Sequence, residues 1–238
     1  MRLAGTGIPL ALLAAAAGCR EPATPAAGAA ANDAGAEETG VEATQIEQRE
    51  VTVAGGRVRV LEAGPAGAPV VLLLHGGRFS SETWRELGTL GVLAEADLRV
   101  VAPDLPGFGA SERGTGERGA FLAAFLDALA IERATVVAPS MSGSFAFPFV
   151  LAHPERVAAF VPVAPAAIPP SAETLASIEV PTLVVWGSAD TTFPPSDGRA
   201  LARAIEGAEL LVLEGASHPC YLDDPETFHA RLKDFVPR

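Results

Sequence analysis

The stretch Val136-Val137-Ala138-Pro139-Ser140-Met141-Ser142-Gly143 restricts the fold more than any other part of the chain. A β-branched apolar run ends at a serine among small residues, and a segment able to form a helix follows. This is the sequence form of a strand-turn-helix corner, which lifts a serine hydroxyl above the edge of a sheet. The serine at such a corner takes a strained backbone, so the positions two before and two after it must be small. For Ser140 these are Ala138 and Ser142. Ser142, between Ser140 and Ser144, is the competing choice, but it would lengthen the turn by two residues.

A serine at such a corner needs a base and an acid, each presented after a later strand. Asp190 ends Leu183-Val184-Val185-Trp186-Gly187-Ser188-Ala189-Asp190, a strand pattern running into a glycine-containing loop. Alone it reads as an ordinary turn aspartate. Between the serine corner and a later histidine it reads as the carboxylate that fixes an imidazole. His218 follows the last apolar run, in Gly215-Ala216-Ser217-His218-Pro219-Cys220. Of the other histidines, His75 belongs to the candidate oxyanion segment, His153 to the end of the helix after the serine corner and His229 to the terminal helix, and none sits in the loop directly after that run. Ser140, His218 and Asp190 are therefore the candidate nucleophile, base and orienting acid. Acyl chemistry also needs two N–H donors aimed at the developing oxyanion. The backbone N–H groups of Gly77, in His75-Gly76-Gly77-Arg78, and of Met141 are the candidates. The alternative for that segment is a tight turn only. Arg78, Phe79 and Phe108 are candidate pocket residues.

The rest of the domain alternates strand and helix patterns. Val51 and Val53, then Val58, Val60 and Leu61, flank the turn Ala54-Gly55-Gly56 and predict a hairpin. Val70 to Leu74 is a continuous apolar run, as for a strand buried on both faces. Ser80 or Ser81 can cap a helix carrying Trp84, Leu87, Leu90 and Leu93 or Ala94 on one face. Leu98–Ala102, Ala134–Ala138, Val157–Val163, Thr182–Trp186 and Leu210–Leu213 read as further strands. Leu122, Phe125, Leu126 and Leu129 mark a helix, as do Leu201 with Ile205, and Phe228 with Leu232 and Phe235. This pattern predicts an α/β fold: a mostly parallel, doubly wound sheet of about eight strands with helices on both faces. The connection from Ala164 to Val180 is too short and proline-rich for a lid domain. Asp104-Leu105-Pro106-Gly107-Phe108-Gly109 reads as an architectural turn beside the site.

The N-terminal segment does not fit the fold. Met1-Arg2 starts positive, Leu3 to Ala17 is apolar and small, and the run ends Ala16-Ala17-Gly18-Cys19. It is too short and too broken for a membrane span. It looks like a bacterial lipoprotein signal over 1–18, with Cys19 lipidated; an ordinary secretory signal is the alternative. Residues 19–45, rich in Ala, Gly, Glu, Pro and Thr without apolar periodicity, then form a tether. The domain spans 46–238. The expectation is an exported lipoprotein, anchored at the membrane through Cys19 on its periplasmic or outer side, and monomeric. With Cys19 carrying lipid, Cys220 has no disulfide partner.

A formal net charge of −12, with no basic stripe, argues against a nucleic-acid partner. No cluster has metal-ligand spacing and no glycine-rich phosphate loop follows a first strand, so neither a metal nor a cofactor is expected.

From about Gln45 to Arg238 the chain resembles the α/β-hydrolase superfamily, and within it the lidless ABHD14 group, also called the CCG1-interacting factor B type. The closer likeness is carried by His75-Gly76 with Arg78-Phe79-Ser80-Ser81-Glu82-Thr83-Trp84 and Leu87-Gly88-Thr89-Leu90. Asp104 to Gly109, Pro139-Ser140-Met141-Ser142-Gly143, Phe160 to Pro165 and His218-Pro219-Cys220-Tyr221-Leu222-Asp223 with Pro225-Glu226 add to it. In that group the nucleophile is the middle serine of a serine-x-serine-x-serine run, whose first serine is Ala138 here. The resemblance thus implies Ser140. It also implies hydrolysis of short acyl esters and, for some members, transfer of acetyl groups from lysine to coenzyme A. The exported address favours hydrolysis. The expected function is a serine hydrolase of small acyl esters, working through an acyl-enzyme. Acyl transfer or lysine deacetylation by the same triad is one alternative. A non-catalytic binding lipoprotein is another.

Overall fold

The structure, a computed structural model, describes residues 45–114 and 116–238. The expected signal over 1–18, Cys19 and nearly all of the expected tether lie outside the described residues.

Eight strands form one sheet in the order β1-β2-β4-β3-β5-β6-β7-β8. β1 (Glu47–Val53) and β2 (Gly56–Ala63) make the expected hairpin. Ala54 and Gly55 both take positive φ, 46° and 78°. That geometry matches the twist of a two-residue hairpin turn. β2 also runs antiparallel to β4 (Arg99–Pro103). All remaining pairs are parallel, through β3 (Val70–Leu73), β5 (Ala134–Pro139), β6 (Val157–Val163), β7 (Leu183–Gly187) and β8 (Glu209–Leu213). β5 lies at the centre between β3 and β6, and its six residues are all buried. Its side chains meet apolar layers on both faces, as the unbroken apolar run requires.

The helices divide between the two faces. One core joins Phe121, Leu122 and Phe125 of α3 (Arg118–Ala128) to Phe145 and Phe149 of α4 (Gly143–Ala152) and to Leu201 of α6 (Pro195–Ala204). The opposite core joins Trp84 of α1 (Glu82–Glu86), Leu90 and Leu93 of α2 (Thr89–Ala94), and Phe228 and Leu232 of α7 (Pro225–Phe235). Trp84 is fully buried, stacks on Tyr221 with ring centroids 4.7 Å apart, and donates its indole N–H to Leu74 O at 2.9 Å. Such a buried aromatic contributes about 3–5 kcal/mol, judged by the usual effect of truncation to Ala.

The single helix expected after Ser80 or Ser81 is two helices. Gly88, at φ 72°, takes a left-handed conformation that ends α1 and starts α2 in a new direction. Trp84, Leu90, Leu93 and Ala94 are still buried, and Leu87, at the cap after α1, is partly buried. Neither serine caps in the expected way. Ser81 makes no side-chain cap bond, because its hydroxyl donates to Asp104 Oδ1 at 2.7 Å; Ser80 Oγ accepts a longer bond from Glu82 N–H at 3.3 Å.

Between β6 and β7 the chain forms only α5 (Ala172–Ala176), and among the described residues no lid domain stands over the carboxyl ends of the strands.

Candidate active site

Ser140 sits where β5 ends and a short 3₁₀ turn, Ser140–Ser142, leads into α4. Its φ is 49°, an uncommon value for a residue with a side chain. The surroundings hold it there. Ser140 O accepts from Ala166 N–H at 2.8 Å. Gly143 lies so close to the following strand's loop that an added Cβ would stand 2.3 Å from Ala166 O. Only glycine lets the two backbones approach in this way.

The strain delivers the hydroxyl to a histidine. Ser140 Oγ donates to His218 Nε2 at 2.9 Å. His218 Nδ1–H donates to Asp190 Oδ2 at 2.8 Å. The other oxygen, Asp190 Oδ1, accepts the N–H groups of Thr192 and Phe193 at 2.8 and 2.9 Å, which fixes the plane of the carboxylate. Phe193 also presents its ring to His218, edge to face, at 5.1 Å. Asp190 is buried, while Ser140 and His218 are half-buried at the rim of an open cavity. The loop after β7 and the loop after β8 thus bring two groups distant in sequence to one hydroxyl.

Ser142, the competing serine, is fully buried and donates its hydroxyl to Pro139 O at 2.8 Å. It braces the turn and faces no histidine. Ser144 similarly donates to Met141 O.

Gly76 and Gly77 pass beside the corner. A Cβ at Gly76 would lie 3.6 Å from Ser140 Cβ, and one at Gly77 would lie 3.4 Å from Met141 Cβ. The two expected oxyanion donors, the N–H groups of Gly77 and Met141, therefore belong to adjoining segments on either side of the serine. His75 anchors the first of these segments from below. It is fully buried; its Nδ1–H donates to Gly76 O at 2.8 Å and its Nε2 accepts from Leu105 N–H at 2.9 Å. Burial pushes its pKa below the ordinary histidine range, as an acceptor at Nε2 requires.

A cavity of about 380 Å³ opens over these groups, lined by Gly77, Arg78, Phe79, Ser140, Thr192, His218 and Pro219. Arg78 and Phe79 are both in this lining. Phe108 is outside this lining: its ring meets His75 edge-on at 5.4 Å and packs on the core, because the Asp104 turn folds it inward. Thr192 and Pro219 were missed. Their signal was proximity in sequence, since each lies within two residues of Asp190 or His218.

The Asp104 turn is architectural in detail. Its carboxylate is fully buried and accepts from Ser81 N–H, Ser81 Oγ–H and Ala110 N–H at 2.8, 2.7 and 2.8 Å. Cys220, a free thiol, is also buried, and that burial pushes its pKa up to about 12. Among the described residues no cluster of histidine, cysteine and carboxylate side chains could hold a metal ion, and no helix is long and apolar enough to cross a membrane.

Comparison with known proteins agrees with this fold. A family model described as alpha/beta hydrolase fold matches residues 69–177, and one described as TAP-like protein matches 150–236. The human protein named "Putative protein-lysine deacylase ABHD14B" is 43% identical over 204 residues, covering 80% of this chain and 96% of the relative. Protein ABHD14A of Danio rerio is 37% identical over 176 residues, covering 71% of this chain and 64% of its own length. The crystal structure of a predicted CIB-like hydrolase from Thermoplasma acidophilum superposes with a TM-score of 0.77 at 28% identity, over 81% of this chain and 98% of that one. The carboxylesterase CesB from Bacillus subtilis shares the fold, with a TM-score of 0.73 at 20% identity over 80% and 91% of the two chains.

Proposed function

The chain belongs to the ABHD14 group of α/β hydrolases, and on that premise we propose that it is a serine hydrolase of small acyl esters. The observation that carries the proposal is the unbroken hydrogen-bond chain from Asp190 through His218 to the hydroxyl of a serine held at positive φ. In the proposed reaction Ser140 Oγ attacks the ester carbonyl carbon while His218 Nε2 takes its proton. Asp190 keeps Nδ1 protonated and stabilises the imidazolium that forms. The N–H groups of Gly77 and Met141 receive the oxyanion. Collapse of the tetrahedral intermediate expels the alcohol, which takes its proton from His218, and leaves an acyl group on Ser140. Water, activated by His218, then releases the acid and restores the serine.

The preference for small acyl groups is supported by the modest cavity and by the short connection between β6 and β7, which among the described residues forms no lid that could extend it into a tunnel. A second reading, removal of acyl groups from lysine, is favoured by the name the mammalian relatives carry. It uses the same three side chains on an amide. A fluorophosphonate probe tests the shared core: wild-type protein is expected to take the label and Ser140→Ala to take none. Equal labelling of the two, or no labelling of folded wild type, refutes the assignment. Release of acetate from acetyl-lysine peptides faster than from esters would favour the second reading over the first.

The proposed address is an exported lipoprotein held at a membrane through Cys19. Replacing Cys19 by Ser is expected to move the protein from the membrane fraction to the soluble one; retention in the membrane fraction refutes that address.

A further inference from the structure

Arg78 is the one charged side chain in the lining of the cavity over Ser140. It directly follows Gly77, whose N–H is a proposed oxyanion donor, so its guanidinium starts from the segment against which the reacting carbonyl would lie. It is exposed and has no hydrogen bond or ion pair among the described residues. Other arginines are committed to carboxylates, Arg49 and Arg99 to Glu62, Arg57 to Glu112, Arg59 to Glu82 and Arg156 to Asp127, while Arg113, Arg199 and Arg203, which like Arg78 have no hydrogen bond or ion pair among the described residues, lie outside this cavity's lining. Acidic residues exceed basic ones by 12 over the whole chain, yet none lines this cavity.

An acidic protein with an open site repels anionic substrates at long range, and a neutral ester gives an arginine at the rim nothing to hold. The arginine's planar fork is suited to a carboxylate or phosphate, which it can grip with two parallel N–H donors. We propose that Arg78 selects acyl esters bearing a carboxylate or phosphate near the scissile bond. It would do so by pairing with that anion while Ser140 attacks the carbonyl. The proposal rests on the serine-hydrolase reading above and narrows its substrate class. Arg78 acts in binding, and the bond-making steps are unchanged.

The test compares kcat/KM for paired esters. On the leaving-group side the pair is 4-acetoxybenzoate and phenyl acetate. On the acyl side it is the mono-4-nitrophenyl ester of adipic acid and 4-nitrophenyl hexanoate. For each variant the neutral ester registers whatever else the substitution disturbs, and comparing variants cancels the intrinsic reactivity of each ester. The anionic-to-neutral ratio is expected to fall about fivefold in Arg78→Ala on at least one pair, as for an exposed ion pair worth ~1 kcal/mol. Arg78→Lys should recover part of it and Arg78→Glu should lower it further. Raising salt should shrink the wild-type ratio towards that of Arg78→Ala. Ratios unchanged by Arg78→Ala on both pairs, with neutral esters still cleaved through Ser140, overturn the role of Arg78 and leave the hydrolase reading standing. Cleavage of neither kind of ester by folded wild type removes both.

Discussion

Replacing Asp104 by Ala should destabilise the domain by about 4 kcal/mol. Three hydrogen-bond donors end on this buried carboxylate, Ser81 N–H, Ser81 Oγ–H and Ala110 N–H, and the Arg59 guanidinium pairs with it at 3.6 Å. Hydrogen bonds to charged groups contribute ~1.5–3 kcal/mol each, and a buried N–H left without a partner costs a further ~1–3. The simple sum overshoots, because the surface turn that carries Ala110 can relax towards water. Breaking buried charged networks elsewhere costs ~3–5 kcal/mol, and the estimate is taken from that range. Asp104→Asn refines the test. Its Oδ1 can still accept both donors of Ser81, but its amide would face the Ala110 N–H, donor against donor. A loss of about 2 kcal/mol follows. Urea unfolding followed by circular dichroism measures both values, and the thermal midpoint of Asp104→Ala should drop by ~8–16 °C for a domain of this size. A loss below about 1 kcal/mol for Asp104→Ala, or an Asn variant weaker than the Ala variant, would refute the reasoning that the carboxylate braces α1 against the turn.

Other outcomes follow from the same geometry. Ser142→Ala should keep its labelling by a fluorophosphonate and lose about 1 kcal/mol of stability, since its hydroxyl serves only Pro139 O; loss of labelling in a folded variant would contradict this. Thr135, buried in β5, has a hydroxyl with no partner among the described residues, so Thr135→Val should be neutral or stabilising by up to about 1 kcal/mol in the same unfolding assay. Burial lowers the pKa of His75 and of His229 in the folded state. The unfolded chain therefore binds these protons first, and stability should be full above about pH 6.5 and fall as pH drops below it, by at most ~1.4 kcal/mol per unit per histidine. His75→Gln should flatten that slope, and an unchanged slope would count against the buried neutral imidazole. Cys220, with its thiol pushed up to about 12, should resist iodoacetamide at pH 8 until the protein is unfolded.

Much of the fold was legible because the sheet's centre is buried on both faces. The apolar runs at Val70, Ala134, Val157 and Leu183 could be little else, and they became β3, β5, β6 and β7. The relation of Ser140, Asp190 and His218 was legible from their order, after β5, β7 and β8. Strand order was not, since the pairing of β2 with β4 rather than β3 is set by packing between distant segments. The helix break at Gly88 was hidden because Trp84, Leu87, Leu90 and Leu93 keep a helical spacing across it. Ser81 looked like a cap until a buried carboxylate from a distant turn claimed its hydroxyl. Phe108 resembled a pocket residue by its place in the turn, and only the fold turns its ring onto His75.

In the proposed reaction Ser140 carries the acyl group. Rapid quenching of wild-type protein during turnover of 4-nitrophenyl acetate, followed by mass analysis of its peptides, tests this directly. The expected result is the mass of one acetyl group on the peptide segment at Ser140, with His218→Ala and Ser140→Ala showing none. Acetylation at Ser142 or any other residue in step with turnover, or turnover with no acetylated serine under trapping conditions that detect the adduct on a known serine esterase, would contradict it.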